Sequence, residues 1–297
     1  VKLIDAHHHF WDPVRNYHPW LRNEPMIPFR YGDYSTIRSR FMAEEYDQAS
    51  QGWDVVASVT MEGEWDPADP TGEALWMQGV ADASDRPAAH VAQAWLDRDD
   101  LSAVIDVIAE LPIVRSVRHK PRANAAPGGA PGGMSDPAYR RGFKALAEAG
   151  LMFDLQTPWW HLSEVPAMAE LAPDVPIILN HTGLPSDRSP EGLAGWRAAM
   201  EAFARMPQAV VKISGLGLPC RSWSIEDNRD IIRQAIDIFS PDRAMFASNF
   251  PVDGLCGSFD TIISGFDVAT QSYGDSERDA LFVGTAARIY GIEAVPK

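Results

Sequence analysis

Three consecutive histidines, His7, His8 and His9, follow an apolar Val1-Lys2-Leu3-Ile4 and an Asp5-Ala6 step, and they precede Phe10-Trp11. In an extended strand alternate side chains share a face, so His7 and His9 project together and His8 points away. Two imidazoles converging from one strand end can grip a single divalent cation or hold a polarised substrate group. An affinity tag would be longer and uninterrupted, and would not sit between Ile4-Asp5 and Phe10-Trp11. Further polar groups close other apolar runs: Arg118-His119-Lys120, Asp154-Leu155-Gln156, Asn180-His181-Thr182-Gly183, Lys212-Ile213-Ser214-Gly215 and Ser248-Asn249-Phe250-Pro251-Val252-Asp253. The basic trio Arg118, His119 and Lys120 suits a carboxylate, a carbonyl or a hydroxylated substrate.

These groups must be delivered by regular elements, and the pattern supplies them. Strands are expected at 2–7, 54–60, 88–94, 113–118, 151–155, 175–180, 209–214 and 243–248. Runs such as Val175-Pro176-Ile177-Ile178-Leu179 and Ala209-Val210-Val211-Lys212-Ile213 suit strands buried on both faces. Helices are expected at about 42–50, 70–84, 99–110, 136–149, 162–172, 191–206, 225–239 and 258–271. Asp136-Pro137 makes an N-cap and first-turn pair, Phe143, Leu146 and Ala147 recur at helical spacing, and Gly150 ends that helix. Ile231, Ile232, Ala235, Ile236 and Phe239 form one apolar stripe that carries packing and no chemistry. Eight such units predict an α/β fold, a parallel (β/α)₈ TIM barrel spanning residues 1–297 as one domain, with its polar groups at the C-terminal strand ends. An open doubly wound sheet would show a glycine-rich phosphate turn after its first strand, where this chain has histidines. An extra helix, Ser276 to Tyr290, is capped by Gly291. The stretch 10–40, with Trp11, Tyr17, Trp20, Tyr31 and Tyr34, reads as an ordered excursion over the barrel mouth, and Ala125 to Met134 as a mobile lid or a plain surface loop.

Composition narrows the function classes. The 297 residues are 45% hydrophobic and 23% charged, as expected of a globular chain. A formal charge of −15 argues against nucleic acid as a partner. No run approaches the roughly 18 apolar residues a membrane span needs. Cys220 and Cys256 form neither a zinc-type pair nor a disulfide framework, so the cytoplasm is the expected compartment. Nothing in the pattern sets the oligomeric state.

The six motifs, taken together and in this order, resemble the amidohydrolase superfamily, in particular the amidohydrolase-related lactonase branch that includes sugar-acid and pyrone-dicarboxylate lactonases. The resemblance implies a lactonase acting on a small-molecule lactone, with His7 and His9 as the strand-1 pair and His181 as the strand-6 histidine. It implies that His7, His9 and His181 could hold one divalent metal ion, zinc first among candidates, or that the site works without metal. Asp154 and Gln156 stand where dinuclear members carry a strand-5 histidine. Asn249 stands where the superfamily usually places the strand-8 aspartate that activates water, and Asp253 is the nearest carboxylate that could replace it. Arg118, His119, Gln156 and Lys212 are then expected to hold substrate oxygens, with Trp160 and Trp20 offering flat faces to a sugar ring. The alternatives are a non-hydrolytic decarboxylase of the same superfamily and a non-catalytic binding barrel.

Overall fold

A computed structural model describes residues 1–293. Eight strands, β1 (Lys2–His8), β2 (Asp54–Met61), β3 (Ala89–Gln93), β4 (Val114–Arg118), β5 (Met152–Leu155), β6 (Ile177–Leu179), β7 (Ala209–Ile213) and β8 (Ala244–Phe246), form one sheet in sequence order. Every neighbouring pair from β1–β2 to β7–β8 is parallel. The seam between β8 and β1 is drawn together by a buried carboxylate. Asp5 accepts the Ser248 amide at 2.8 Å, the Ser248 hydroxyl at 2.5 Å and the Tyr46 hydroxyl at 2.8 Å. Beyond it, the Asn249 amide donates to the His7 carbonyl at 2.8 Å, and the His9 amide to the Phe250 carbonyl at 2.7 Å. The result is a (β/α)₈ barrel, with its helices outside.

The helices start where sequence chemistry asks them to. Asp136, Ser189, Ser224 and Ser258 each accept a hydrogen bond from the first turn of the helix they cap. The expected C-terminal helix runs Asp275–Tyr290, with a π-turn at Ala280–Gly284, and ends at Gly291 in a left-handed conformation. It closes the bottom of the barrel. Tyr290 and Ala286 pack with the inward residues Ile4, Ala6, Val59, Val91, Ile178 and Met245. Among the described residues no helix is long and apolar enough to cross a membrane.

Two local departures from regularity aim the histidines. Strict alternation along β1 from the inward-facing Ile4 and Ala6 would send His8 inward too. An irregularity in the β1–β2 register between Asp5 and His8 resets the phase. His7 therefore packs edge-on against His9 and tilted against His181, while His8 packs outward against Phe10 and Tyr46. The expected strand 175–180 ends early, at Leu179, and the chain turns through Asn180–Gly183 with His181 at φ 54° and Thr182 at φ 50°. Left-handed backbone is uncommon for residues other than glycine, asparagine and aspartate, so the surrounding packing must hold this turn.

Candidate active site

The mouth of the barrel opens on two joined chambers. The inner one, about 220 Å³, is walled by His9, Arg118, Gln156, His181 and Asn249, and roofed by Trp20, Ile27, Phe29 and Arg30. The outer one, about 460 Å³, shares Trp20, Ile27, Glu62, Glu64, Arg118 and Lys120 with it and adds Trp65, Trp95 and His119. The roof is the aromatic excursion read from residues 10–40. Trp20 stacks on Phe29 at 5.7 Å, and Tyr34 donates its hydroxyl to the Trp20 carbonyl at 3.0 Å. A two-residue bridge between Trp11 and Phe41 ties the ends of that excursion together. The glycine-rich segment after β4 lies outside both chambers. Its base is pinned by Glu164, which accepts the Gly132 amide and the Ser135 hydroxyl, and by His161, which accepts the Asn124 amide.

His9 and His181 each spend one nitrogen on the protein. His9 Nδ1 lies 3.2 Å from the Met61 carbonyl, which can only accept, so a neutral His9 keeps its proton there and presents a lone pair on Nε2. His181 Nδ1 meets the Ser214 hydroxyl at 2.9 Å. His7 lies behind them, 5.3 Å from the His9 ring and 4.5 Å from the His181 ring. It is fully buried, and neither of its nitrogens has a protein partner. Burial, first of all, pushes all three well below the ordinary histidine range. The positive charge of Arg118 adds to this at His9, and that of Arg30 and Arg118 at His181. All three are neutral at neutral pH.

Arg118 is fixed by a residue that the sequence reading passed over. Its Nε donates to Glu62 Oε1 at 2.5 Å, its Nη2 to the Glu62 carbonyl at 2.9 Å and its Nη1 to Gln156 Oε1 at 2.8 Å. Burial alone would raise the Glu62 carboxyl, but Arg118 and Lys120 hold it down at about 2. Lys120 pairs with Glu64 at the waist between the chambers. Arg30 is likewise new. Glu62 and Glu64 could have been found by inspecting the end of the second strand, Met61-Glu62-Gly63-Glu64, as the other strand ends were. Arg30 carries no such signal, because it reaches the mouth from an irregular excursion.

Four expected site residues take other places. Lys212 is fully buried below the chamber and pairs with Asp154 at 2.8 Å inside the barrel, so it offers no hydrogen bond to substrate. His119 borders only the outer chamber and accepts the Leu96 amide at 3.1 Å. Trp160 faces a separate cavity. Asp253 is 1% exposed and does not border the chamber, because Asn249 covers it. The Asp253 Oδ1 accepts the Asn249 amide at 2.7 Å and the Tyr31 hydroxyl at 2.9 Å, with Arg30 at 3.6 Å. Burial raises the Asp253 carboxyl despite these partners. The carboxylate therefore orients Asn249, and Asn249 meets the chamber. Its backbone, at φ 55°, is one that asparagine tolerates better than most residues.

The imidazoles meet part of what a divalent ion requires. Anchored Nδ1 atoms on His9 and His181 leave Nε2 available, the usual arrangement of a ligating histidine. The remainder is missing. Among the described residues no three His, Cys, Asp or Glu side chains converge as a metal site. The carboxylates at the chamber wall, Glu62 and Glu64, are committed to Arg118 and Lys120. The nearby charges of Arg30, Arg118 and Lys120 are positive. This donor set does not fit a bound zinc ion.

A nearly closed parallel barrel with titratable groups gathered at its C-terminal mouth is the usual arrangement of an enzyme of the TIM fold. The chain belongs to the amidohydrolase family, whose model matches residues 4–292. It is 38% identical to the uncharacterized protein y4mH of Sinorhizobium fredii over 98% of this chain and 99% of that protein. It is 33% identical to an L-fucono-1,5-lactonase of Burkholderia multivorans over 54% of this chain and 57% of that enzyme. Among solved structures, an amidohydrolase from Burkholderia multivorans with bound zinc superimposes with a TM-score of 0.78 at 26% identity, covering 98% of this chain and 99% of that one.

Proposed function

We propose that the protein hydrolyses a lactone, opening a cyclic ester to a hydroxy acid. The observation that carries this reading is the shared wall of the inner chamber, which brings neutral His9 and His181 together with Asn249 and the fixed guanidinium of Arg118. The similarity to L-fucono-1,5-lactonase supports the same class of substrate. A water whose oxygen accepts the second N–H of the Asn249 side-chain amide gives a proton to His181 as its other lone pair attacks the ester carbonyl. His9, through its Nε2 lone pair, fixes the second hydrogen of that water. Charge then builds on the carbonyl oxygen, where Arg118 and Lys120 stabilise it in a site largely screened from solvent. Collapse of the tetrahedral adduct breaks the ring C–O bond, and the departing oxygen takes the proton back from His181. Asp253 acts through Asn249 and is a positioning residue.

A panel of sugar-acid and simple γ- and δ-lactones, followed by acid release with a pH indicator, tests the reading. On a responsive lactone, His181→Ala is expected to lower kcat by about 10²–10³-fold, with a smaller change in KM. Asp253→Asn is expected to lower kcat about tenfold and to alter the pH profile, because Asn249 loses its fixed acceptor. Unchanged kcat in both His181→Ala and His9→Ala rejects the assignment, and release of carbon dioxide in place of acid redirects it to decarboxylation.

A further inference from the structure

The turn that follows β2, Glu62-Gly63-Glu64, borders both chambers through its two glutamates, and its two peptide planes are engaged on every edge. In the first plane the Glu62 carbonyl accepts Arg118 Nη2 at 2.9 Å. On the opposite edge of that plane the Gly63 amide donates to Glu73 Oε1 at 2.7 Å. In the second plane the Gly63 carbonyl accepts Trp20 Nε1 at 2.8 Å and His18 Nδ1 at 3.1 Å. The Glu64 amide, on its other edge, donates to Glu62 Oε2 at 2.7 Å. Two consecutive peptide units thus join the guanidinium of the inner chamber to the indole of the roof.

Glu73 lies in the first turn of the helix Gly72–Ala83 and is buried. A carboxylate in a first helical turn ordinarily serves the free amides of its own helix. Glu73 Oε1 turns instead to Gly63, and Oε2 has no hydrogen-bond partner among the described residues. Burial, and then the negative charge of Glu62, hold the Glu73 carboxyl well above the usual carboxylate range. A polar group so placed is costly to stability, and it borders neither chamber, so it is no substrate contact. The packing around the turn is tight. A Cβ built on Gly63 would come within 3.2 Å of the His18 ring and 3.3 Å of Glu73 Oε1. Glu64 takes a left-handed φ of 59°, a conformation that persists only where its surroundings hold it.

We propose that Glu73 is a positioning residue of the active site, whose grip on the Gly63 amide fixes the peptide plane against which Arg118 rests. For its effect on turnover the proposal rests on the lactonase reading. Because the peptide is planar, loss of the Glu73 bond frees the Glu62 carbonyl to turn, and the guanidinium follows it out of register with the ester. The bond also polarises the peptide, so the Glu62 carbonyl is a better acceptor for Arg118 with Glu73 in place than without it.

Three substitutions separate the acceptor from its charge and its reach. Glu73→Gln keeps an oxygen for the Gly63 amide, Glu73→Met removes it at similar bulk, and Glu73→Asp draws it back by one methylene. On a responsive lactone, kcat is expected to fall about 10–100-fold in Glu73→Met, with KM changed less than about threefold. In Glu73→Gln it is expected to stay within about threefold of the wild type. Glu73→Asp is expected to lie between the two, and it decides the matter if Glu73→Met fails to fold. Hydrogen exchange at the Arg118 Nε–H reads the guanidinium without turnover. It is followed by nuclear magnetic resonance in protein carrying isotope-labelled arginine, with the signal assigned by its absence in Arg118→Lys. Exchange is expected to quicken about tenfold in Glu73→Met and Glu73→Asp and to be unchanged in Glu73→Gln. The Nε–H of Arg188, also shielded from solvent, is the internal control. Equal quickening at both arginines reports general loosening and overturns the proposal, as does a Glu73→Gln variant as damaged as Glu73→Met. On a responsive lactone both readouts must move, and either one unmoved overturns it. If no lactone is turned over while the Arg118 exchange responds as expected, the lactonase reading fails and the hold of Glu73 on Arg118 stands. If lactones are hydrolysed and neither readout responds, the reverse holds.

Discussion

The barrel interior and the barrel mouth both bury charged and polar side chains, some on the same strands, yet they are built to opposite ends. In the interior, Asp154 accepts the Lys212 ammonium at 2.8 Å, the Asn180 amide at 2.8 Å and the Tyr290 hydroxyl at 3.0 Å. The Lys212 ammonium also lies 3.3 Å from the Met61 sulfur and 4.9 Å from the centre of the Tyr290 ring. In the mouth, His9 and His181 each leave one nitrogen unspent, and Asn249 turns its amide N–H₂ to Asp253 while its oxygen has no donor among the described residues. The charges of the interior network satisfy one another and hold the fold, with only the Asn180 Oδ1 left over among these groups, whereas a network left partly open beside a cavity is ready for a ligand. The cavity is the necessary second condition. His8 also has two unpartnered ring nitrogens, but it is enclosed by Phe10 and Tyr46 and borders no chamber.

The comparison breaks most readily at Lys212. Lys212→Met leaves Asp154 buried without its counter-charge, and denaturant unfolding should show a loss of about 3–5 kcal/mol, as for other buried pairs deprived of one partner. A loss under about 1 kcal/mol, joined to a large rise in KM, would move Lys212 from the interior network to the substrate site.

Acid titration sharpens it next. Burial pushes His8 down to about 3, and His18 and His90 down to about 4. The unfolded chain takes up protons on these rings near pH 6.5, the folded chain only far below it, so the unfolded state binds more protons as the pH falls. Stability is therefore full above about pH 6.5 and declines towards pH 4, by up to about 1.4 kcal/mol per pH unit for each such histidine. Urea midpoints measured from pH 7.5 to 4.5 check this. A flat profile would mean that the rings are solvated or paired in the folded state.

The smallest effect is expected from His8→Leu, which replaces an enclosed ring by a side chain of similar bulk. It should cost under about 1.5 kcal/mol and leave kcat unaltered, in contrast to His181→Ala. A large loss of activity would show that the unpartnered nitrogens of His8 matter to the chemistry.

Much of this was legible in the chain. Period-two and helical patterning, N-caps at Asp136, Ser189, Ser224 and Ser258, and polar groups closing the apolar runs all follow from local chemistry. The facing of His7 and His9 was legible too, though it survives through a register irregularity between Asp5 and His8 that no alternation rule contains. Lys212, read as a substrate contact, turned out to be an interior cation, because a strand pattern tells which face a side chain takes and not how far along the barrel axis it sits. Asp253, read as the base, lies one layer behind Asn249 for the same reason.

What the sequence determined by itself is the set of elements, their order and the chemical types brought to the strand ends. Those are properties of neighbouring residues, and local propensity and burial settle them. Tertiary structure alone decided which ends meet solvent. It brought Arg30 over the mouth from an irregular excursion, set Glu62 against Arg118 across 56 positions of chain, and bonded Trp20 to the Gly63 carbonyl across 43. Such pairings depend on barrel closure and on the depth of each side chain, and neither is encoded in any stretch short enough to read as a motif.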